Sequence, residues 1–425
     1  MTRQPDTEIK AAPRPAKAAP APAPAAAIRP ADTFMAVIMA VACGHLFNDI
    51  MQSMLPAIYP LLRANYGLSL FQIGSITAVF QITGSVLQPV VGWYTDKKPL
   101  PYSLPCSALF TMCGLLILAC AAHYYMLLIG AALVGLGSSV FHPEASRVAR
   151  LASGGRFGFA QSVFQVGGNS GTALGPLLAA LFINQQWEIS WFALIAFCGF
   201  ILLIFITRWY AGNLRAGLAR KLTLPEPDLS KKQIHHAVFM LVALMTAKYI
   251  YLANMSNFYT IYAMDKFGIS MRYAQILLFL YLGGIAVGTI FGGPIGDRIG
   301  ARRVIWVSII GVLPFTLALP HVPLPAMAVL SVIIGLILAS AFPAIVVFAQ
   351  ELMPGKIGTI AGLFYGLSFG IGALSSAVLG KLGDMIGNQY LFDVCSVLPI
   401  LGIVAWFLPA LPSEERRRAA GSKQG

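Results

Sequence analysis

Charge is what this sequence has least of. Of its 425 residues only 11% are Asp, Glu, Lys or Arg, while 57% are hydrophobic, and the mean hydropathy is +0.75. Soluble domains carry roughly 25% charged residues, so a water-facing globule or a soluble enzyme is excluded. Cysteine is scarce as well. The six (Cys43, Cys106, Cys113, Cys120, Cys198 and Cys395) all fall in apolar stretches, without the loop framework of a disulfide scaffold or the spacing of a metal site. They are expected to be packing residues, and no metal is expected. Missing too are a His-Glu-x-x-His motif, a paired aspartate motif and a Gly-x-Ser-x-Gly at a strand-to-helix turn, which argues against an intramembrane enzyme. A phosphate-cradling loop is also lacking, which argues against an ATP-driven pump. No cofactor is expected.

What the sequence does have, repeatedly, is apolar sequence long enough to cross a bilayer, for which a helix needs about 20 residues. Twelve such spans are read at 33–62, 70–94, 103–122, 124–151, 157–184, 190–210, 236–264, 271–295, 302–320, 324–352, 357–381 and 390–410. The expected fold class is an all-α membrane protein with twelve transmembrane helices. Residues 1–32 are rich in Ala, Pro, Lys and Arg and lack an apolar core segment. They read as a disordered tail and not as a signal peptide. The expected organisation is tail 1–32, a six-helix bundle over 33–210, a linker over 211–235, a second bundle over 236–410 and a tail over 411–425.

Orientation follows from positive charge. With twelve spans and the N-terminus inside, the outer side receives only Arg63, Lys266, Arg272 and Lys381 of the 29 Lys and Arg. By the positive-inside rule both termini are expected in the cytoplasm. The net charge of +13 therefore flanks membrane spans and faces anionic lipid, and no nucleic-acid partner is expected.

The halves repeat each other. A displacement of 200 residues lays Gly135-Leu136 on Gly335-Leu336, Pro143 on Pro343, Gly155-Arg156 on Gly355-Lys356 and Gly158 on Gly358; one residue more lays Gly92 and Asp96-Lys97 on Gly293 and Asp297-Arg298. Such a repeat implies two six-helix units related about the membrane normal, with binding at their interface.

Those same residues carry a resemblance. Gly92-Trp-Tyr-Thr-Asp96-Lys97-Lys98 and Gly293-Pro-Ile-Gly-Asp297-Arg298 resemble the G-x-x-x-D-R/K signature of the major facilitator superfamily. The physical sense is a carboxylate at a helix end holding neighbouring positive charge, as a latch that breaks and reforms during alternating access; the alternative is that Asp96 and Asp297 merely cap and pair at a wet surface. Gly171-Thr-Ala-Leu-Gly175-Pro176 resembles the motif of drug/proton antiporters, although Ala131 stands where that pattern has an arginine. Gly167, Gly171 and Gly175 form one stripe that lets a neighbouring helix approach closely, and Pro176 bends the helix. Closer still, His45-Leu-Phe-Asn48-Asp49-Ile-Met-Gln52 and Ser138-Ser-Val-Phe-His142-Pro143-Glu144-Ala-Ser-Arg147 resemble the fosmidomycin resistance proteins. The resemblance implies a proton-coupled efflux antiporter of a bacterial inner (plasma) membrane that exports a small anionic or zwitterionic compound, such as a phosphonate antibiotic. Its expected partners are that small-molecule substrate, protons and membrane lipids, and it is expected to be a monomer. The rival readings are a proton symporter of a metabolite anion and a transporter-like sensor.

Ionisable groups at bilayer depth cost about 2.5–3.5 kcal/mol on insertion scales, so each needs a partner or a function. His45, Asn48, Asp49 and Gln52 lie at i, i+3, i+4 and i+7, one face of the first span. A carboxyl group beside an imidazole out of water is the combination that loads and releases a proton near neutral pH, so Asp49 with His45 is the proton-coupling candidate. A static interhelical hydrogen bond is the alternative. A shift of 200 residues from Asn48 lands on Lys248, which shares a helix face with Tyr251, Met255, Tyr259 and Tyr262. This face suits an anionic substrate, or else a permanent Lys248–Asp49 pair and a tyrosine stripe that simply packs. In the fourth span, Glu144 is either a second proton site or the partner of Arg147 at i+3, and His142 and Arg147 are gate candidates. Gln161, Gln165, Asn169 and Thr172 form a polar face of the fifth span that reads as cavity lining or as interhelical hydrogen bonding. With Asn48 and Gln52, Gln165 and Asn169 complete the expected substrate contacts.

Overall fold

A computed structural model describes residues 33–68, 70–215, 227, 229–409 and 411, all helical or connecting, with no strand among them. Among the described residues twelve long helical segments follow one another, with one short helix between the first and the second. The first half comprises α1 (Met35–Ala57), α2 (Leu70–Gln81 continued through Ile82–Val86 and Leu87–Lys97), α3 (Ser103–Cys120), α4 (Tyr124–Ala152), α5 (Phe157–Phe182) and α6 (Ser190–Arg215). The second comprises α7 (Lys231–Phe267), α8 (Met271–Ile299), α9 (Ala301–His321), α10 (Leu324–Leu352), α11 (Ile357–Ile386) and α12 (Asn388–Phe407). Among the described residues, eleven helices are long and apolar enough to cross a membrane. The twelfth segment, α5, spans 26 residues but is diluted by Gln161, Gln165, Asn169 and its glycines. The chain is an all-α membrane protein built of two six-helix pseudo-repeats.

Boundaries shift where local chemistry dictates. The first span, expected to reach residue 62, stops at Ala57, next to Pro56, and a separate short helix follows at Tyr59–Tyr66. Proline removes a backbone donor and crowds the preceding turn. α2 carries a π turn over Ile82–Val86, and buried Gln88 donates to the Gly84 carbonyl at 2.6 Å. α7 begins with a capping box at Ser230 and Gln233 and ends at Gly268, whose φ of 63° favours glycine. The expected tail over 1–32, residues 216–226 of the linker and residues 412–425 lie outside the described residues.

In lipid, helices gain little from hydrophobic exclusion, so they associate by close packing at small residues. The stripe on α5 does this against α1: a Cβ added at Gly167, Gly171 or Gly175 would strike the carbonyl oxygens of Ala42, Leu46 and Ile50 in turn. Residues Gly284, Gly288 and Gly292 of α8 meet Val332, Leu336 and Ser340 of α10 in the same four-residue rhythm. The halves join through α2 on α11 and α5 on α8, where Gly92 meets Gly358 and Gly158 meets Gly293. An apolar cluster containing Val148 and Leu151 of α4, Tyr210 of α6, Val346 and Leu352 of α10 and Phe364 of α11 fills the same end of the molecule. We refer to it as the basic end, because Lys97, Lys98, Arg150, Arg156, Arg302 and Arg303 lie there. All six cysteines are free, and five of them are exposed on the bundle surface; only Cys395 is buried. The packing role expected of them holds for Cys395 alone.

Candidate functional site

The α1 stripe forms as its spacing demands, with His45, Asn48, Asp49 and Gln52 all buried. Asp49 is the hub. Its Oδ2 lies 3.4 Å from His45 Nε2, while Asn48 Nδ2 donates to its Oδ1 at 3.0 Å, Gln52 Nε2 to the same oxygen at 3.3 Å and Thr172 Oγ1 to Oδ2 at 3.4 Å. His45 stacks on Phe164 of α5 with ring centroids 4.1 Å apart, and its Nδ1 sits 2.8 Å from the Phe164 carbonyl. His142, expected at a gate, instead reaches from α4 into this cluster, its Nε2 3.7 Å from Asp49 Oδ1 and its Nδ1 3.0 Å from the Ser138 carbonyl. One ligand atom from each of His45, Asp49 and His142 lies within 4.8 Å of the others. That spacing would also suit a small cation, but the amide and hydroxyl donors already directed at both Asp49 oxygens favour a hydrogen-bonded, protonic site.

Lys248 is buried on α7, and no carboxylate among the described residues lies within 4.0 Å of its ammonium. Its Nζ is instead 5.6 Å from the ring centroids of both Tyr249 and Phe342, a cation–π setting that holds a cation without neutralising it. A direct Lys248–Asp49 pair is therefore not part of this conformation. The tyrosine stripe is packed: Tyr251, Met255, Tyr259 and Tyr262 lie in the apolar core of the second half, with Tyr262 stacked on Phe392 at 4.0 Å. Tyr251 is thus a packed residue in this arrangement and not an open contact surface.

At the basic end the two signature aspartates cross between the halves. Asp96, on α2, accepts from the backbone N–H of Gly358 and Thr359 at the start of α11 at 2.8 and 2.7 Å, and from Thr359 Oγ1 at 2.6 Å. Asp297, on α8, accepts from the N–H of Gly158 and Phe159 at the start of α5, both at 2.8 Å. Carboxylates at helix N-termini satisfy orphan donors and meet the positive end of the helix dipole. The positive side chain at Asp96 is Arg147, whose Nη2 lies 2.5 Å from Oδ1 and whose Nη1 is 2.7 Å from Glu144. Lys97, though adjacent in sequence, lies over the Trp93 ring at 3.7 Å. Glu144 likewise belongs to this latch and not to the Asp49 cluster, with Tyr210 Oη donating to it at 3.4 Å. A cavity of about 220 Å³ beside the latch is lined by Asp96, Arg147, Arg150 and Tyr210 among others.

The polar face of α5 bridges the halves. Gln161 Nε2 donates to Tyr365 Oη at 2.7 Å, and that hydroxyl donates to Gln165 Oε1 at 3.0 Å; Asn169 Nδ2 donates to Thr289 of α8 at 3.3 Å. Tyr365 was not anticipated. It sits 200 residues from Gln165, just as Arg150 Nη1 donates at 3.1 Å to Gln350, so pairs related by the repeat meet at the pseudo-twofold axis. That shift was the available signal. The Tyr365 ring lies 5.0 Å from those of both His142 and Phe342. Aromatic rings therefore fill the space between the Asp49 cluster and Lys248.

Residues 41–264 and 242–424 each match the model of the Major Facilitator Superfamily. The chain is 50% identical over 382 residues to the fosmidomycin resistance protein of Escherichia coli strain K12, covering 89% of this chain and 94% of that protein. It is 41% identical over 388 residues to an uncharacterised MFS-type transporter of Bacillus subtilis strain 168, covering 90% and 95%. Among solved structures, the human organic anion transporter MFSD10 superposes with a TM-score of 0.69 over 90% of this chain and 100% of that one, at 16% identity.

Proposed function

From the premise that this chain belongs to the major facilitator superfamily and is a multi-pass transporter, not an enzyme, we propose that it is a proton-coupled antiporter. Its cargo in this reading is a small anionic or zwitterionic compound of the fosmidomycin type, exported across a bacterial inner membrane. The observation that carries the reading is Asp49, a carboxyl group buried in the first half between two imidazoles. A titratable cluster at that depth is costly unless it is used. The likeness to a resistance protein supports the cargo class.

In this account the basic end faces the cytoplasm, with the tails at 1–32 and 411–425 and the linker at 211–235 on that side, and residues 33–210 and 236–410 rock as two bodies. Asp49 with His45 takes up protons from the opposite side. Lys248 supplies the positive charge for the cargo, with Asn48, Gln52, Gln165 and Asn169 as polar contacts once the halves part. Asp96 and Asp297 hold the basic end shut and release as it opens. Among the described residues no carboxylate lies within 4.0 Å of the Lys248 ammonium in the latched conformation, which supports the idea that Asp49 and the cargo take turns in balancing it. Coupling then needs only that each occupant favour a different arrangement of the halves.

The test is reconstitution of the purified protein into liposomes with a pH-sensitive dye inside. Fosmidomycin added to the compartment facing the basic end should acidify that compartment as protons exchange for it. Co-directional movement of protons and drug would instead establish symport, and binding without flux would establish a sensor.

A further inference from the structure

We propose that Arg150 captures the phosphonate or phosphate group of an anionic cargo at the basic end, and that the Gln350 carboxamide fills its seat while that end is shut. The proposal rests on the exporter reading and adds to it a second cationic contact besides Lys248.

Arg147 and Arg150 lie one turn apart on α4, both are buried, and both line the cavity of about 220 Å³ beside the latch. Their partners differ in the half to which they belong. Arg147 is held by Asp96 of α2, by Glu144 of α4 and by the Thr95 carbonyl at 2.9 Å, all in the first half. Parting of the halves therefore leaves Arg147 neutralised where it is. Arg150 Nη1 donates at 3.1 Å to Gln350 Oε1 of α10, the one hydrogen-bond partner of this guanidinium among the described residues. No carboxylate among the described residues lies within 4.0 Å of it. The two carboxylates whose fields reach it, Glu351 and Asp297, belong to the second half as well. Opening the basic end thus takes away the amide and both acids together, and leaves an uncompensated guanidinium on the first half.

That guanidinium is held ready for an oxyanion. Its Cζ lies over the Phe157 ring, 3.9 Å from the centroid. Phe157 opens α5 in the same half, so the ring still backs the guanidinium after Gln350 has left. A backed planar fork fits two oxygens of a phosphonate or phosphate side by side, which the point charge of a lysine does not. Gln350 offers one neutral carbonyl oxygen to the same edge, a weaker acceptor than an anionic oxygen. Its other end is tethered. Gln350 Nε2 donates to Ser146 Oγ at 3.3 Å, and that hydroxyl donates to Gln161 Oε1 at 3.1 Å. Closure and cargo therefore compete for one guanidinium. The shift of 200 residues that relates Arg150 to Gln350 puts an amide at the matching place of the second half, so the capturing charge stands on one side of the gap.

The experiment measures KM for fosmidomycin from each face of the full-length protein in oriented proteoliposomes, with the proton gradient set to drive each direction in turn. Arg150→Gln should raise KM at the basic-end face by about 10- to 100-fold, the loss of a charged contact, and leave KM at the opposite face unchanged. Gln350→Ala, which removes the competitor, should lower KM at the basic-end face. An Arg150 that only fastens the closed end would make both variants lower that KM. This result, or an equal rise at both faces for Arg150→Gln, would overturn the capture site and leave the exporter reading standing. A phospholipid headgroup is the other source of phosphate oxygens. Native mass spectrometry showing phospholipid held by the wild type and lost from Arg150→Gln, with KM unchanged, would give the seat to lipid and overturn cargo capture. A wild-type protein that moves fosmidomycin from neither face would remove the exporter reading and this inference with it.

Discussion

Replacing Asp96 by asparagine should unlatch the basic end. Asp96 accepts four hydrogen bonds, two from backbone N–H groups, one from the Thr359 hydroxyl and one from Arg147. An amide retains one acceptor oxygen and turns an NH₂ toward donors. Oδ2 alone receives the Thr359 N–H and hydroxyl, so two bonds to a charged group are lost, at about 1.5–3 kcal/mol each. Water partly replaces them when the end opens, so the bias against the latched state should be about 2–4 kcal/mol, roughly 30- to 1,000-fold in the conformational equilibrium. Spin labels at positions 98 and 356, in a background without the six cysteines, read the separation directly by pulsed electron resonance. Wild type should give predominantly one short distance and Asp96→Asn a dominant longer one. An unchanged distribution in a variant that transports normally would show that Asp96 is only a surface cap.

Other perturbations should be equally specific. Lys248→Met should insert normally and weaken binding of an anionic ligand by about 1.5–3 kcal/mol, roughly one to two orders of magnitude, while a neutral analogue loses much less; equal losses in isothermal titration would make Lys248 structural. Gly171→Val should lower the melting temperature in detergent, because its Cβ would press on the Leu46 carbonyl and overpacking costs about 1–3 kcal/mol. Tyr365→Phe should leave Gln161 and Gln165 short of a shared hydroxyl, weakening contact between the halves by about 1 kcal/mol and raising the long-distance fraction in the same spin-label assay. Cysteines placed at positions 215 and 266 should react with an impermeant reagent from opposite sides of sealed cells; labelling from one side would break the topology.

What could be read from sequence, and what could not, divides on physical lines. Membrane spans are legible because about 20 apolar residues announce themselves, and α5 is the segment whose polar face hides it from a hydropathy measure. Contacts within one helix follow from period alone, so His45–Asp49 at i, i+4 and Glu144–Arg147 at i, i+3 both form. Contacts between helices depend on how each helix is rotated, which period does not specify. His142 therefore goes to Asp49 instead of the gate, and the Lys248 face splits, with its tyrosines in the core. Asp96 finds Arg147 and the α11 terminus although Lys97 is adjacent in sequence, because a side chain at a helix end reaches across more readily than to its own neighbour. The repeat repaired part of this deficit. It related the two aspartates and the helix starts they cap, and it would have singled out Tyr365 had Gln165 been carried forward by the same shift.

Proton coupling rests on Asp49. Asp49→Asn keeps hydrogen-bonding capacity at that position and removes titration, so the purified variant should still bind fosmidomycin within a few-fold of wild type. In proteoliposomes with an imposed proton gradient, the wild-type protein should accumulate the drug against its concentration gradient, and the variant should only equilibrate it. Gradient-driven accumulation by Asp49→Asn at the wild-type rate would contradict the account.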